Sequence, residues 1–163
     1  MKALLILSPY GCLPKDKSFQ DRCKNIERLV EKFKELEEPV FVLSKIRDSE
    51  GDSIKVYTPQ DGNYVFLRKD VDAFFMSGLE KQLRTMGVNE IVICGISLDK
   101  SGLFTAISGY DRGFKVTVIK DAVAALNYEY FTMDKDLLEE TIFKLLGFTN
   151  IDTVTLEDFL LGA

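Results

Sequence analysis

A chain of 163 residues with 46% apolar content fits one domain, 1–163, built on a continuous core, and is too short to hold two comfortably. Its 21 Lys and Arg against 26 Asp and Glu give a net charge of −5 with no basic run, so neither nucleic acid nor an anionic membrane is expected as a partner. Histidine is absent, which removes the commonest general base, any Ser-His-Asp triad and any histidine-bound zinc or iron; no metal and no cofactor are expected.

In chain order, Ala3 to Leu7 is a wholly apolar run closed by Ser8-Pro9, as for a central parallel strand covered on both faces. The run is far shorter than the ~20 residues that cross a bilayer and has no leader-type cleavage pattern, so a cytoplasmic protein is expected. From Ser18 to Glu38 the residues Phe19, Cys23, Ile26, Leu29, Val30, Phe33 and Leu36 recur at three- and four-residue intervals, which predicts an amphipathic helix. Pro39 to Leu43 reads as the next strand. The polar loop Arg47 to Ser53 lacks the alternating ligands and closing glutamate of a calcium loop.

Ile54 to Tyr57 and Tyr64 to Leu67 flank a turn at Pro59 and Asp61-Gly62, predicting a hairpin or an excursion ending in a strand that delivers Arg68 and Lys69. Val71 to Met86 reads as a helix closed by Gly87, followed by strand Glu90 to Cys94. A turn after Gly95, a helix from near Asp99 to Arg112, strand Phe114 to Ile119, helix Met133 to Leu146 and a short strand Thr153 to Leu156 complete the pattern. Strands alternating with helices imply a three-layer α/β/α fold on a doubly wound, mainly parallel sheet of about six strands.

Three cysteines without CxxC spacing fit free thiols in a reducing compartment, with Cys23 and Cys94 as small hydrophobes. Doubly wound sheets bind ligands beyond the carboxyl ends of their strands. Ser8, Arg68 or Lys69, and the turn from Gly95 to Ser101 all fall at such ends, so three separated segments predict one pocket. Ser101 lies where a strand turns into a helix, beside backbone N–H groups that stabilise an anion. Neither a Walker loop nor GxGxxG is present.

With these segments in order, the chain resembles the isochorismatase-like cysteine hydrolase superfamily of isochorismatases, nicotinamidases and N-carbamoylsarcosine amidases. KALLILSPY resembles the family's first strand, usually ALLVIDMQ; GNYVFLRKDVDAFFMSGLEKQLRTMGVNEIVICGIS resembles the segment with its lysine and its SAF or DAF triplet; SLDKSGLFTAISGYDRGFKVTVIKDA resembles TDVCVxxTAxDAxxRGYxVxVxxDA. The resemblance covers nearly the whole chain. It implies a catalytic Asp, Lys and Cys at the positions of Ser8, Arg68 and Ser101, all three replaced, with Lys69 next to the second. It further implies ligand contacts from Ile96, Ser97 and Phe74, a cis peptide at Ile96-Ser97, and a homo-oligomer.

A serine hydroxyl is a poor nucleophile without a neighbouring base. Ser8 supplies none, and a guanidinium stays protonated. The acid role of an Asp on a vinyl ether is also lost with Ser8. Lys69 offers a Ser-Lys dyad with Ser101, although neighbours on a strand face opposite ways, so Arg68 and Lys69 are not expected to share the pocket. Two readings stand open: a degenerate member whose pocket binds a small anionic or carbonyl ligand, and a hydrolase of an amide, carbamate or vinyl ether using Ser101 with Lys69. Each position also has a plain alternative, with Ser101 bonding backbone donors of a first turn, Asp99 as a cap, Arg68 as a solvated strand end and Ser8 as a turn residue. Cys12 is a third candidate nucleophile, displaced to the loop after the first strand.

Overall fold

The computed structural model describes residues 1–9, 12–13, 16–44 and 54–162. In chain order the elements are β1 (Lys2–Leu7), β2 (Cys12–Leu13), α1 (Lys17–Glu35), β3 (Val40–Ser44), β4 (Ile54–Lys55), β5 (Tyr64–Leu67), α2 (Leu79–Thr85) and β6 (Glu90–Ile96). A π-helical turn (Leu98–Gly102), α3 (Leu103–Asp111), β7 (Lys115–Ala124), α4 (Lys135–Leu146), β8 (Asp152–Val154) and α5 (Leu156–Gly162) follow. Six strands form one parallel sheet in the order β5-β3-β1-β6-β7-β8. No described helix is long and apolar enough to cross a membrane.

The central place of β1 follows from its sequence. Ala3 to Leu7 are all 0% exposed, and because side chains alternate across a strand, both faces of β1 must be covered. Ala3, Leu5 and Leu7 pack with Leu79 and Leu83 of α2, Ala106 of α3 and Leu138, Ile142 and Leu146 of α4. Leu4 and Ile6 pack on the other face with Phe19, Ile26, Leu29, Val30 and Phe33 of α1 and Leu156 of α5. Each fully buried Leu, Ile or Phe contributes about 1.5–3 kcal/mol by leaving water. The two helical layers are therefore a consequence of one uninterrupted apolar strand.

Of the two alternatives for the segment from Ile54 the excursion ending in a strand is found, and two other local expectations are corrected. Ile54 does not form a hairpin with Tyr64 to Leu67; β4 pairs antiparallel with β2, while β5 runs parallel to β3 at the sheet edge. Phe41 of β3 stacks on Tyr64, with ring centroids 5.0 Å apart, and meets Phe66 at 5.7 Å, which draws β5 to the main sheet. The helix expected over Val71 to Met86 is confined to Leu79–Thr85. Ahead of it Asp70 and Asp72 accept hydrogen bonds from the backbone of Val71 and Phe74, at 2.7 and 2.9 Å, and such side-chain bonds compete with helix. The last strand is Asp152–Val154, with a further helix, α5, behind it. The polar loop Arg47 to Ser53 lies outside the described residues.

Candidate functional site at the strand carboxyl ends

The chain leaves β1 for β3 on one side and later returns to place β6 on the other, so the topological switch point lies between β1 and β6. Leu7 pairs with Gly95 there. Gly95 has φ +102°, and a Cβ on it would fall 2.7 Å from the Leu7 nitrogen, so only glycine lets the two backbones approach this closely. Ser8 and Ile96 thus leave adjacent strands side by side.

Ser8 and Arg68, 60 positions apart, meet directly. Arg68 continues β5, its backbone N–H donating to the Ser44 carbonyl at 2.9 Å, and its side chain crosses the end of β3. Arg68 Nη2 donates to Ser8 Oγ at 2.6 Å, and Nη1 donates to the Asp70 carbonyl at 2.8 Å. Its Nε is buried and has no hydrogen-bond partner among the described residues. Both residues are only 6% exposed, and Ser8 holds φ +49°, a left-handed conformation uncommon outside glycine. No described carboxylate forms an ion pair with Arg68. Burial lowers its pKa, partly offset by the nearby charge of Asp70, yet a guanidinium remains a cation at neutral pH. Lys69 is exposed, just beyond the end of β5.

The other half of the site hangs on β6. The Ile96-Ser97 peptide is cis. Ser101, 1% exposed on the π-helical turn, donates through Oγ to the Ile96 carbonyl at 3.1 Å. The expectation that its hydroxyl bonds backbone donors is therefore replaced by a bond to an acceptor. One turn N–H group expected to face a ligand is already occupied: Lys100 donates at 3.1 Å to the Ser97 carbonyl, which also accepts from the Gly102 N–H at 2.9 Å.

Asp99, 6% exposed, is a clamp and not a helix cap. Its carboxylate accepts from Ser97 Oγ, from Leu126 N–H at 3.1 Å and from Asn127 N–H at 3.2 Å. A register irregularity between β6 and β7 brings these partners into place, because Ile93 pairs with Val118 while Gly95 pairs with Val123. Glu139 fixes the same loop from α4, accepting from Ala125 N–H at 3.0 Å and pairing with Arg22 at 2.8 Å. Leu126, Asn127 and Glu139 were missed in the sequence. Glu139 carried a usable signal, since a carboxylate three and seven positions before Ile142 and Leu146 sits on the apolar face of its helix.

Phe74 lies in the core. Its ring is 4% exposed, stacks on Phe114 with centroids 5.9 Å apart and lies under the Arg112 guanidinium. The Asp72-Ala73-Phe74 triplet docks its segment on α3: Ala73 N–H donates to Thr105 Oγ1 at 3.1 Å, and Asp72 accepts from Ser108 Oγ at 2.8 Å. The side chain of Cys12 lies outside the described residues.

A six-stranded parallel sheet flanked by helices on both faces, with polar groups gathered at its carboxyl ends, defines an α/β protein of the isochorismatase-like hydrolase fold. The Isochorismatase domain family matches residues 10–141, and the chain belongs to that family. The uncharacterized isochorismatase family protein YwoC of Bacillus subtilis is 34% identical over 70 residues, which is 43% of this chain and 37% of that relative. The chain therefore matches less than half the length of this curated relative. Among solved structures, a cysteine hydrolase from Pseudomonas syringae pv. phaseolicola superposes with TM-score 0.85 at 18% identity, covering 97% of this chain and 90% of that one. The nicotinamidase SaPncA of Staphylococcus aureus superposes with TM-score 0.71 at 25% identity, covering 93% and 97%.

Proposed function

We propose that this chain keeps the fold of its family without the family's hydrolytic chemistry, and that the site around Ser8, Arg68 and Ser101 binds a small anionic or carbonyl compound. The carrying observation is the surroundings of Ser101. Its buried hydroxyl gives its hydrogen to the Ile96 carbonyl, and a carbonyl oxygen accepts a hydrogen bond without taking up the proton. Among the described polar neighbours, the Asp99 carboxylate is held by the Ser97 hydroxyl and two backbone N–H groups. Arg68 stays protonated, Ser8 accepts from Arg68, and the chain has no histidine. Exposure of Lys69 removes the support for a Ser101-Lys69 dyad.

Binding is favoured on the Arg68 side, where a buried cation keeps an unused donor. A zinc-dependent reading has no donor set to rest on: the chain lacks histidine, and no three Cys, Asp or Glu gather among the described residues.

The test is a panel of amides, carbamates and vinyl ethers assayed with wild type and Ser101→Ala. No turnover above the uncatalysed rate is expected from either. Turnover by wild type that disappears in Ser101→Ala would overturn the proposal, and its further loss in Lys69→Met would identify the base.

A further inference from the structure

We infer that the compound bound at this site is a carboxylate monoanion, seated against Arg68 Nε–H and the Ser8 hydroxyl, where it supplies the paired carboxylate that no described residue gives Arg68. The inference rests on the ligand-binding reading above and names its ligand class.

Three observations carry it. First, Arg68 is 94% buried by its 6% exposure, and no described carboxylate pairs with it. Leaving a buried charge uncompensated is costly, so the position favours any anion that can reach it. Second, the donors have a direction. Nη1 is held by the Asp70 carbonyl, which orients the guanidinium plane, while Nε has no described partner. Nε and Nη2 share one edge of the guanidinium, the edge that takes carboxylates two oxygens at a time. Third, Ser8 completes that edge. Its Oγ accepts from Nη2 at 2.6 Å, so its own hydrogen is left to donate, and no described acceptor takes it. Arg68 Nε–H and Ser8 Oγ–H are therefore two donors, on side chains joined by a hydrogen bond, that no described acceptor uses.

Charge selects among anions. Among the described residues one guanidinium faces the site, which balances one negative charge; a phosphate dianion would bury a second charge that no other described cation is shown to meet. A planar carboxylate also offers one oxygen to each donor, whereas a neutral amide offers a single acceptor and brings an N–H₂ group toward two donors. The residue types fit the same logic. With aspartate at position 8 the cation would have a counter-ion beside it within the chain, and with serine there no described carboxylate pairs with it.

The experiment is thermal unfolding at fixed ionic strength with sodium benzoate, sodium acetate, benzamide or sodium phosphate, for wild type, Arg68→Met and Ser8→Asp. At ten times its Kd, benzoate is expected to raise the wild-type Tm by about 3–6 °C. Acetate is expected to act in the same direction at higher concentration, with no rise from benzamide. Arg68→Met is expected to lose the benzoate response. Ser8→Asp, which fills the site from within the chain, is expected to lose it while unfolding at a higher temperature than wild type, so a misfolded Arg68→Met would not decide the matter. A benzamide response equal to or above that of benzoate, or a phosphate response exceeding it, overturns the carboxylate assignment while leaving ligand binding in place. An undiminished benzoate response in both variants overturns the assignment to Arg68 and Ser8. Turnover of benzamide would instead overturn the non-hydrolytic reading itself.

Discussion

The two halves of the site are built on neighbouring strands and treat their polar groups in opposite ways. On the β6 and β7 side the chain satisfies itself: Asp99 takes three donors, Ser101 has the Ile96 carbonyl, and the Ser97 carbonyl takes two N–H groups. On the β1 and β5 side Arg68 is buried with neither an Nε partner nor a counter-ion among the described residues. Buried polar groups are nearly always paired. The closed half thus reads as support, and the open half as the part that needs something from outside. This reverses the emphasis that the sequence suggests, where Ser101 at the nucleophile position draws attention first.

Mutations that break the closed half should be the most damaging. Asp99→Ala leaves the Ser97 hydroxyl and the Asn127 N–H without their acceptor, and the Leu126 N–H with only its 3.3 Å bond to Ser97 Oγ. A loss of about 3–5 kcal/mol is expected in urea unfolding, since each bond to a charged group is worth roughly 1.5–3 kcal/mol and the bonds are not additive. Gly95→Ala would force a side chain against the Leu7 backbone at positive φ and should cost about 2–4 kcal/mol in the same measurement. A smaller loss than that of Lys69→Ala at either position would show that the support role is misassigned.

On the open half the expected effect changes sign. Ser8→Asp should stabilise by about 1–2 kcal/mol, the worth of a hydrogen bond between charged groups, and aspartate tolerates the left-handed backbone of that position. Destabilisation by Ser8→Asp would mean that Arg68 is already compensated. Ser101→Ala should cost only about 1 kcal/mol for its one hydrogen bond. Lys69→Ala, at an exposed position, should stay within about 0.5 kcal/mol of wild type in the same unfolding series.

Much of this was legible in the sequence where the signal is local. The unbroken apolar run of β1 fixes its burial on both faces. The resemblance adds the positions of Ser8, Arg68 and Ser101 and the cis peptide found at Ile96-Ser97. What stayed hidden is set by partners far along the chain. The Arg68 to Ser8 bond spans 60 residues, and Asp99 reaches its loop partners across 27 and 28. Neither carries a periodicity that a local reading could detect. Phe74, expected from its place in a motif to contact a ligand, packs its apolar ring on Phe114. The shortened α2 was obscured by Asp70 and Asp72, which have charges suited to a helix start and side chains that instead bind the backbone locally.

The most direct test of the open half is the Nε–Hε resonance of Arg68 in protein carrying ¹⁵N-labelled arginine, assigned by its absence from Arg68→Met and followed during a sodium benzoate titration. A saturable shift of that signal, with the other arginine Nε–Hε signals unmoved, is the result predicted for a carboxylate taking up the unpartnered donor. A signal that stays in place while benzoate raises the melting temperature would contradict it and locate the anion elsewhere.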